Sequence, residues 1–325
     1  MSKFTHTVTK EDAINKRPIR TLIRRHFDFS SRLRGKIKRE NLVYLNGKSV
    51  AGWIIPSEGD LLEIRLPKER SFFEPEDIPI NVIYEDEDLL IINKDAGIVV
   101  HPTYGYQNHT IANAVTKYML DTGQEFKIRF INRIDMDTSG ILILGKNSHA
   151  QDSYMKQQKE GNVNKIYTAL VHGIIKDNKG IINAPIGKPD IAKPQRGVTL
   201  SGKPSVTEFK VVERFESAKI FDGENPLEKN LMHANKINSN EGYTLVKAKL
   251  ITGRTHQIRV HFNHIGHTIV GDEFYGADDS TLIARQALHA GYLSFKHPVS
   301  GKLLEIEAPL ADDIQCLINK LNSLS

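Results

Sequence analysis

Residues 130–147, FINRIDMDTSGILILGKN, set a charged loop directly against the apolar run ILIL, which is bounded by Gly140 and Gly145. Such a run reads as a strand buried inside a sheet. The chain therefore has to build a sheet whose edge receives Arg133, Asp135 and Asp137 just ahead of the Thr138-Ser139-Gly140 turn. A carboxylate at that edge is either part of a surface turn or held ready for chemistry, and spacing alone leaves both readings open.

Other stretches ask for the same sheet. NVIYEDEDLLIINKDAGIVVHP reads as two strands joined by a turn at Lys94-Asp95-Ala96-Gly97. NKIYTALVHGII and YTLVKAKL read as strands, and residues 183–243 as two short strands around a loop, with an insertion near 217–241. Helices are expected at HTIANAVTKYML and HAQDSYMKQQKEG. TGRTHQIRVHFNHIGH reads as a turn and a ten-residue helix, with Thr255 as cap, Gly266 past the end, and Ile258, Phe262 and Ile265 on one face. A strand is the rival there, since Ile258, Val260 and Phe262 alternate. The expected fold is α+β: a mixed, largely antiparallel sheet with a central cleft over residues 81–325, a small α/β module over 1–70, and a proline-bearing linker at 71–80.

Charge marks off the first module. Between Lys16 and Arg39 there are ten basic residues, among them Arg24, Arg25, Arg32, Arg34, Lys36 and Lys38, and one acid, Asp28. Apolar spacing fits two short helices, with Ser30 or Ser31 capping the second, before a strand, Asn-Gly turn and strand in LVYLNGKSV. A helix pair so charged is either a solvated face or an RNA contact; release of counterions from phosphates favours the second. The whole chain carries only +5, so the position of the charge matters more than its sum. The single cysteine, Cys316, excludes an internal disulfide and reads as filler in a C-terminal helix. MSKFTHTVTKEDAINKRPIR lacks the apolar core of a signal peptide, and runs such as DLLIIN fall far short of the ~18–20 residues of a spanning helix. A soluble cytoplasmic protein with no membrane contact is expected.

Three residues invite a site. Arg259 lies inside the expected helix beside its apolar face, and a half-buried arginine needs a partner. Asp135 is the candidate; the pair would hold the carboxylate ionised and aimed, or serve only as a structural salt bridge. Tyr167, between apolar neighbours, is either a core tyrosine or a platform for a nucleobase. His256, His261, His264 and His267 lack an HExxH pattern and have no cysteine nearby, so a metal site is not favoured. Neither GxGxxG nor GxxxxGK[ST] occurs, which argues against dinucleotide and nucleotide-hydrolysing enzymes.

These residues carry a resemblance. NRIDMDTSGILIL is similar to the HRLDxxTSG motif of the RluA-type pseudouridine synthases, and TGRTHQIRVHFNHIGHTIVGDEFYG resembles that family's later motif. VIYEDEDLLIINKDAGIVVHP, KIYTALVHG and LHAGYLSFKHP match further segments in order, over about residues 80–310, while residues ~11–67 resemble an S4 RNA-binding module. The resemblance implies that Asp135 is the catalytic aspartate, that Tyr167 stacks on the target base and assists proton removal, and that Arg259 pairs with the aspartate. It implies substrate contacts at Arg133, Asn132, Arg254, His256 and Thr138, and RNA contacts from the basic helix pair. It further implies an isomerase that converts uridine in RNA to pseudouridine without cofactor or metal. Ribosomal RNA is the favoured substrate class, transfer RNA a second, and a monomer is expected. Two positions depart from the family: Asn132 replaces its usual histidine, and Asp95 the proline of its Lys-Pro-Ala-Gly turn. The alternatives are an inactive S4-type RNA-binding or ribosome-assembly factor and a metal-dependent hydrolase built on the histidines.

Overall fold

In the computed structural model, which describes residues 3–67, 69–190, 192–216, 242–276, 279 and 282–324, a small N-terminal unit has its own core. Strands β1 (Lys3–Thr7), β2 (Val43–Leu45), β3 (Lys48–Ser49) and β4 (Leu61–Arg65) form a sheet in the order β1-β4-β2-β3. Helix α1 (Lys10–Ile14) is followed by α2 (Ile19–His26) and α3 (Ser31–Arg39), which bury Ile19, Leu22, Ile23, Leu33 and Ile37 against Phe4, Val43, Leu62 and Ile64. Ser30 caps α3, its hydroxyl accepting from Leu33 N at 3.1 Å. Asn46 and Gly47 take the left-handed conformations that a two-residue hairpin turn requires.

The rest of the chain builds a ten-stranded sheet: β5 (Asn81–Glu85), β6 (Leu89–Lys94), β7 (Arg129–Phe130), β8 (Ser139–Gly145), β9 (Asn164–His172), β10 (Lys179–Asn183), β13 (Val206–Phe215), β14 (Tyr243–Leu250), β15 (Leu288–Lys296) and β16 (Leu303–Glu307). Its order is β10-β13-β14-β9-β15-β8-β6-β5, with β16 beside β15 and β7 beside β8; β11 (Ile186–Gly187) and β12 (Gly197–Val198) form a separate ribbon. Helices α4 (Ile111–Asp121), α5 (Ser148–Lys159), α6 (Gln257–His264) and α7 (Asp312–Leu324) cover it. The unbroken apolar runs now make sense. Leu90, Ile92, Leu142 and Leu144 pack with Ile111, Val115 and Met119 of α4, while Leu89, Ile91, Ile141 and Ile143 pack with Ala150 and Tyr154 of α5. Alternation sends successive residues to opposite faces, and here both faces are dry. Each such side chain contributes ~1.5–3 kcal/mol by leaving water.

All pairings in this sheet are antiparallel except β8 with β15. That parallel seam pairs Ser139 with His289 and Gly140 with Ala290, at the sheet's middle. Gly140 has φ +112°, and a β-carbon on it would lie 2.3 Å from the Ala290 carbonyl oxygen. The Thr-Ser-Gly turn thus ends in glycine because two backbones meet there.

Several expectations are corrected. NVIYEDEDLLIIN is itself the β5–β6 hairpin, and Lys94-Asp95-Ala96-Gly97 is the turn that leaves β6. The expected helix runs only over Gln257–His264, its cap position is His256 in a left-handed conformation rather than Thr255, and Ile265 is exposed. Cys316 is exposed and fills no core. Strand β1 closes the N-terminal sheet from residues read only as lacking a leader, and Val206–Phe215 is one long strand. Segment 71–80 has no helix or strand but is tied down: Ser71 Oγ accepts from Ile128 N at 2.8 Å, and the Glu74 carbonyl accepts from Asn113 Nδ2 at 2.8 Å. The insertion at 217–241 lies outside the described residues.

Two glycines should respond oppositely to alanine. Gly140→Ala should destabilise the protein by about 2–4 kcal/mol through the clash and the positive φ. Gly35→Ala, in α3 with no atom within 4 Å of the new β-carbon, should stabilise it by ~0.5–1 kcal/mol. Urea titration of both variants checks the pair; equal midpoints would remove the seam argument.

Candidate active site

The loop before β8 is held by groups that leave its carboxylate free. Asn132 lies against β8: its Nδ2 donates to the Ile141 carbonyl at 3.0 Å and its Oδ1 accepts from Ile143 N at 2.7 Å. Lys94, fully buried, donates to the carbonyls of Met136 at 2.7 Å, Asp95 at 2.7 Å and Ile98 at 2.9 Å. Burial pulls its ammonium down to about 8. Gly97 N adds a 3.0 Å bond to the same Met136 carbonyl, so the 94–97 turn braces the loop even without a proline. On the far side Arg285 is gripped by Asp313, at 2.6 Å from each of two nitrogens, and donates to the Asp137 carbonyl at 3.0 Å. Thr138 N closes the turn onto the Asp135 carbonyl at 3.1 Å.

This bracing separates the two carboxylates. Asp135 lines a cleft of about 330 Å³ together with Tyr167 and Arg259, whereas Asp137 lines a different hollow. Arg259 reaches Asp135 with one nitrogen, Nη1 to Oδ2 at 3.3 Å. Its other edge is bidentate to Asp272, Nε and Nη2 each at 2.7 Å, and Asp272 is fully buried. Asp272 is thus the main partner of Arg259, which sequence reasoning missed. Burial works against the guanidinium charge, but Asp272 and then Asp135 outweigh it. The rings of Tyr275 and Phe274 lie 5.1 and 5.6 Å from the guanidinium carbon.

His256 also approaches, with Nε2 3.9 Å from Asp135 Oδ1 and Nδ1 2.9 Å from the Tyr275 hydroxyl. Burial holds this imidazole below the usual histidine range, so at neutral pH the charge facing Asp135 is that of Arg259. Tyr167 is buried in the core that β9 shares with α6, and burial, then the Asp135 charge, push its phenol well up. It therefore lines the cleft as a protonated phenol. Ile134, Leu250 and Leu288 supply apolar wall. Arg133 and Arg254 stand exposed at the rim, Arg133 donating to Thr255 Oγ1 at 2.9 Å.

Of the residues expected to touch substrate, Arg133, Arg254 and His256 have groups at the cleft. Asn132 and Thr138 line it too, but Asn132 has both amide ends on β8, and Thr138 is buried with its hydroxyl accepting from Gln286 at 3.3 Å. Those two position the loop. Of the four clustered histidines, His261 is buried against Thr207 and the Ala184 carbonyl and His267 donates toward the His172 carbonyl; they do not converge. In the N-terminal unit Arg25 pairs with Glu11 at 2.9 Å, Lys36 with Glu69 at 3.0 Å, and Arg34 bonds the Phe29 carbonyl and Ser31. Arg24, Arg32 and Lys38 are exposed and without an ion pair among the described residues. A larger hollow of about 590 Å³ near the N-terminal unit is lined by Glu69, Glu85, Glu87 and Glu125, and would repel an anionic polymer. The smaller cleft, with one aimed carboxylate, a lining tyrosine and a cationic rim, fits chemistry on a ring-bearing polyanion.

Comparison with known proteins agrees with that chemistry. The family model described as RNA pseudouridylate synthase matches residues 88–264, a span holding Asp135, Tyr167 and Arg259. The chain is 37% identical to the uncharacterized RNA pseudouridine synthase YlyB of Bacillus subtilis, over 87% of this chain and 86% of that one. It is 33% identical to the ribosomal large subunit pseudouridine synthase D of Pseudomonas aeruginosa, over 90% and 87%. Among solved structures, human RNA pseudouridylate synthase domain containing 1 shares the fold with a TM-score of 0.55 at 24% identity, covering 78% of this chain and 98% of that one. With its fold, the matched family model and these relatives in agreement, the chain belongs to the RNA pseudouridylate synthase family.

Proposed function

We propose that this protein isomerises uridine in ribosomal RNA to pseudouridine with Asp135 as the catalytic carboxylate. One observation carries the reading: Asp135 and Arg259 meet at 3.3 Å in the cleft that Tyr167 also lines. The relatives named as ribosomal large subunit synthases support ribosomal RNA as the substrate class.

The reaction breaks the N1–C1′ bond, turns the uracil and rejoins C1′ to C5; N1 gains a proton and C5 loses one. Attack on the sugar, attack on the base and removal of a ribose proton all begin from an ionised, oriented carboxylate. Arg259 orients Asp135 through its 3.3 Å contact. Positive character on the sugar is stabilised by the same charge. Ile134, Leu250 and Leu288 exclude the water that would otherwise capture the sugar. The uracil must leave its stack, at a few kcal/mol, and the Tyr167 ring offers a replacement surface worth ~1–3 kcal/mol. Arg133, at the rim, fits the space beside the departed base.

The N-terminal unit, read as an S4-like RNA-binding module, would hold the RNA alongside. Its support is the helix pair on a small sheet and the three cations, Arg24, Arg32 and Lys38, that no acid in the described residues neutralises.

Asp135→Asn should reduce tritium release from C5-labelled large-subunit ribosomal RNA transcript below detection while leaving RNA affinity within about twofold; normal turnover would refute the assignment. Tyr167→Phe keeps the ring and should lower kcat by ~10²-fold or more. A wild-type rate in that variant would exclude its hydroxyl from proton transfer. Replacing Arg24, Arg32 and Lys38 together by glutamine should weaken binding and flatten its dependence on salt by about two to three counterions. An unchanged slope would remove the module from the RNA contact.

A further inference from the structure

Lys165 stands two residues before Tyr167 on β9, and strand alternation puts both on the face that lines the cleft. Neither family resemblance nor the chemistry above gives this lysine a task. It is half-buried, and no ion pair or hydrogen bond holds it among the described residues. Burial alone acts on its ammonium and pulls it below the ordinary lysine range, with no carboxylate to offset the loss. Asp135, which lines the same cleft, is already engaged by Arg259 at 3.3 Å and faced by His256 at 3.9 Å.

An amine sequestered from water without a counter-charge is unfavourable, and a ligand that brings the charge removes the penalty. The neighbourhood suits one ligand. A β-carbon on Gly253 would lie 3.7 Å from Lys165 Nζ and 3.7 Å from Gln158 Nε2, so two donors, one from β9 and one from α5, converge on a backbone that carries no side chain. Gln158, like Lys165, lines the cleft, and next to Gly253 comes the exposed Arg254. Cleft-lining cations therefore outnumber the one lining acid, Asp135, by Arg133, Lys165, Arg254 and Arg259.

We propose that Lys165 and Gln158 form an anion subsite that takes the backbone phosphate flanking the flipped uridine. The proposal rests on the uridine reading above. In it Asp135 works on the sugar and base at one end of the cleft while the amine fixes the phosphate at the other, so the nucleotide is held at two points rather than by stacking alone.

Binding is measured with an oligocytidylate that carries a single uridine, so that only one nucleotide can enter, and turnover with large-subunit ribosomal RNA transcript. Lys165→Met should weaken affinity about tenfold and lower the slope of log K against log salt by ~0.7–0.9. Lys165→Arg should restore affinity. Its melting temperature should not fall, since the methionine variant loses an unpaired buried charge; a variant melting well below wild type would make the amine part of the packing and overturn the subsite. A neutral methylphosphonate placed on the 5′ or the 3′ side of the uridine should weaken wild-type binding at one of these positions and leave Lys165→Met unaffected. Equal losses in both proteins, or a wild-type salt slope in Lys165→Met, would overturn the subsite. Wild-type protein that makes no pseudouridine would overturn the uridine reading instead, and the binding arms would still decide the phosphate contact.

Discussion

A single guanidinium divided unequally between two carboxylates governs the centre of this molecule. Asp272 takes two short bonds to Arg259 and is sealed from water, while Asp135 receives the remaining nitrogen at 3.3 Å and keeps about a third of its side chain exposed. The asymmetry has a physical purpose. Two acids against one base leave the cluster short of positive charge, so the outer carboxylate is oriented without being fully neutralised. Tyr275 and Phe274 screen the inner pair from solvent, which strengthens it.

The loop that carries Asp135 is held by cations too, but they grip backbone oxygens. Lys94 holds the Met136 carbonyl and Arg285 the Asp137 carbonyl, in the two residues that follow Asp135. Gripping neighbouring carbonyls fixes the position of Asp135 while leaving its carboxylate to Arg259. Beneath them lies the parallel seam, where Gly140 admits the Ala290 backbone and turns the chain straight from loop into core.

Much of this was legible from local pattern. Period-2 alternation and apolar runs gave β6, β8, β9 and β14, Asn-Gly gave the β2–β3 hairpin, and Ser30 announced α3. The Asp135–Arg259 contact was foreseen because a half-buried arginine requires an acid. What stayed hidden depends on partners far apart in the chain. Strand β1 is recognisable only through its pairing with β4, about sixty residues later. Asp272 follows Arg259 by thirteen residues, and nothing local shows that it folds back beneath it. Asn132 looked like a substrate ligand because its backbone partners belong to a strand that had yet to be placed. The His256 cap was missed because a left-handed histidine is uncommon and Thr255 is the better capping residue by type. Lys165 was within reach, since its spacing from Tyr167 already put both on one face.

Helix α5 touches both the N-terminal unit and the cleft. Near its start His149 packs edge-on against Phe4 and Phe29, and Asp152 accepts from Ser30 at 2.5 Å; near its end Gln158 enters the cleft. Asp152 and Gln158 are six residues apart, roughly 9 Å along a helix axis. A rod of that length sets a fixed offset between the Ser30 contact of the N-terminal unit and the wall of the cleft. On the reading proposed above, an RNA that touched both would have to match that offset, and the target would be measured by span as well as by base.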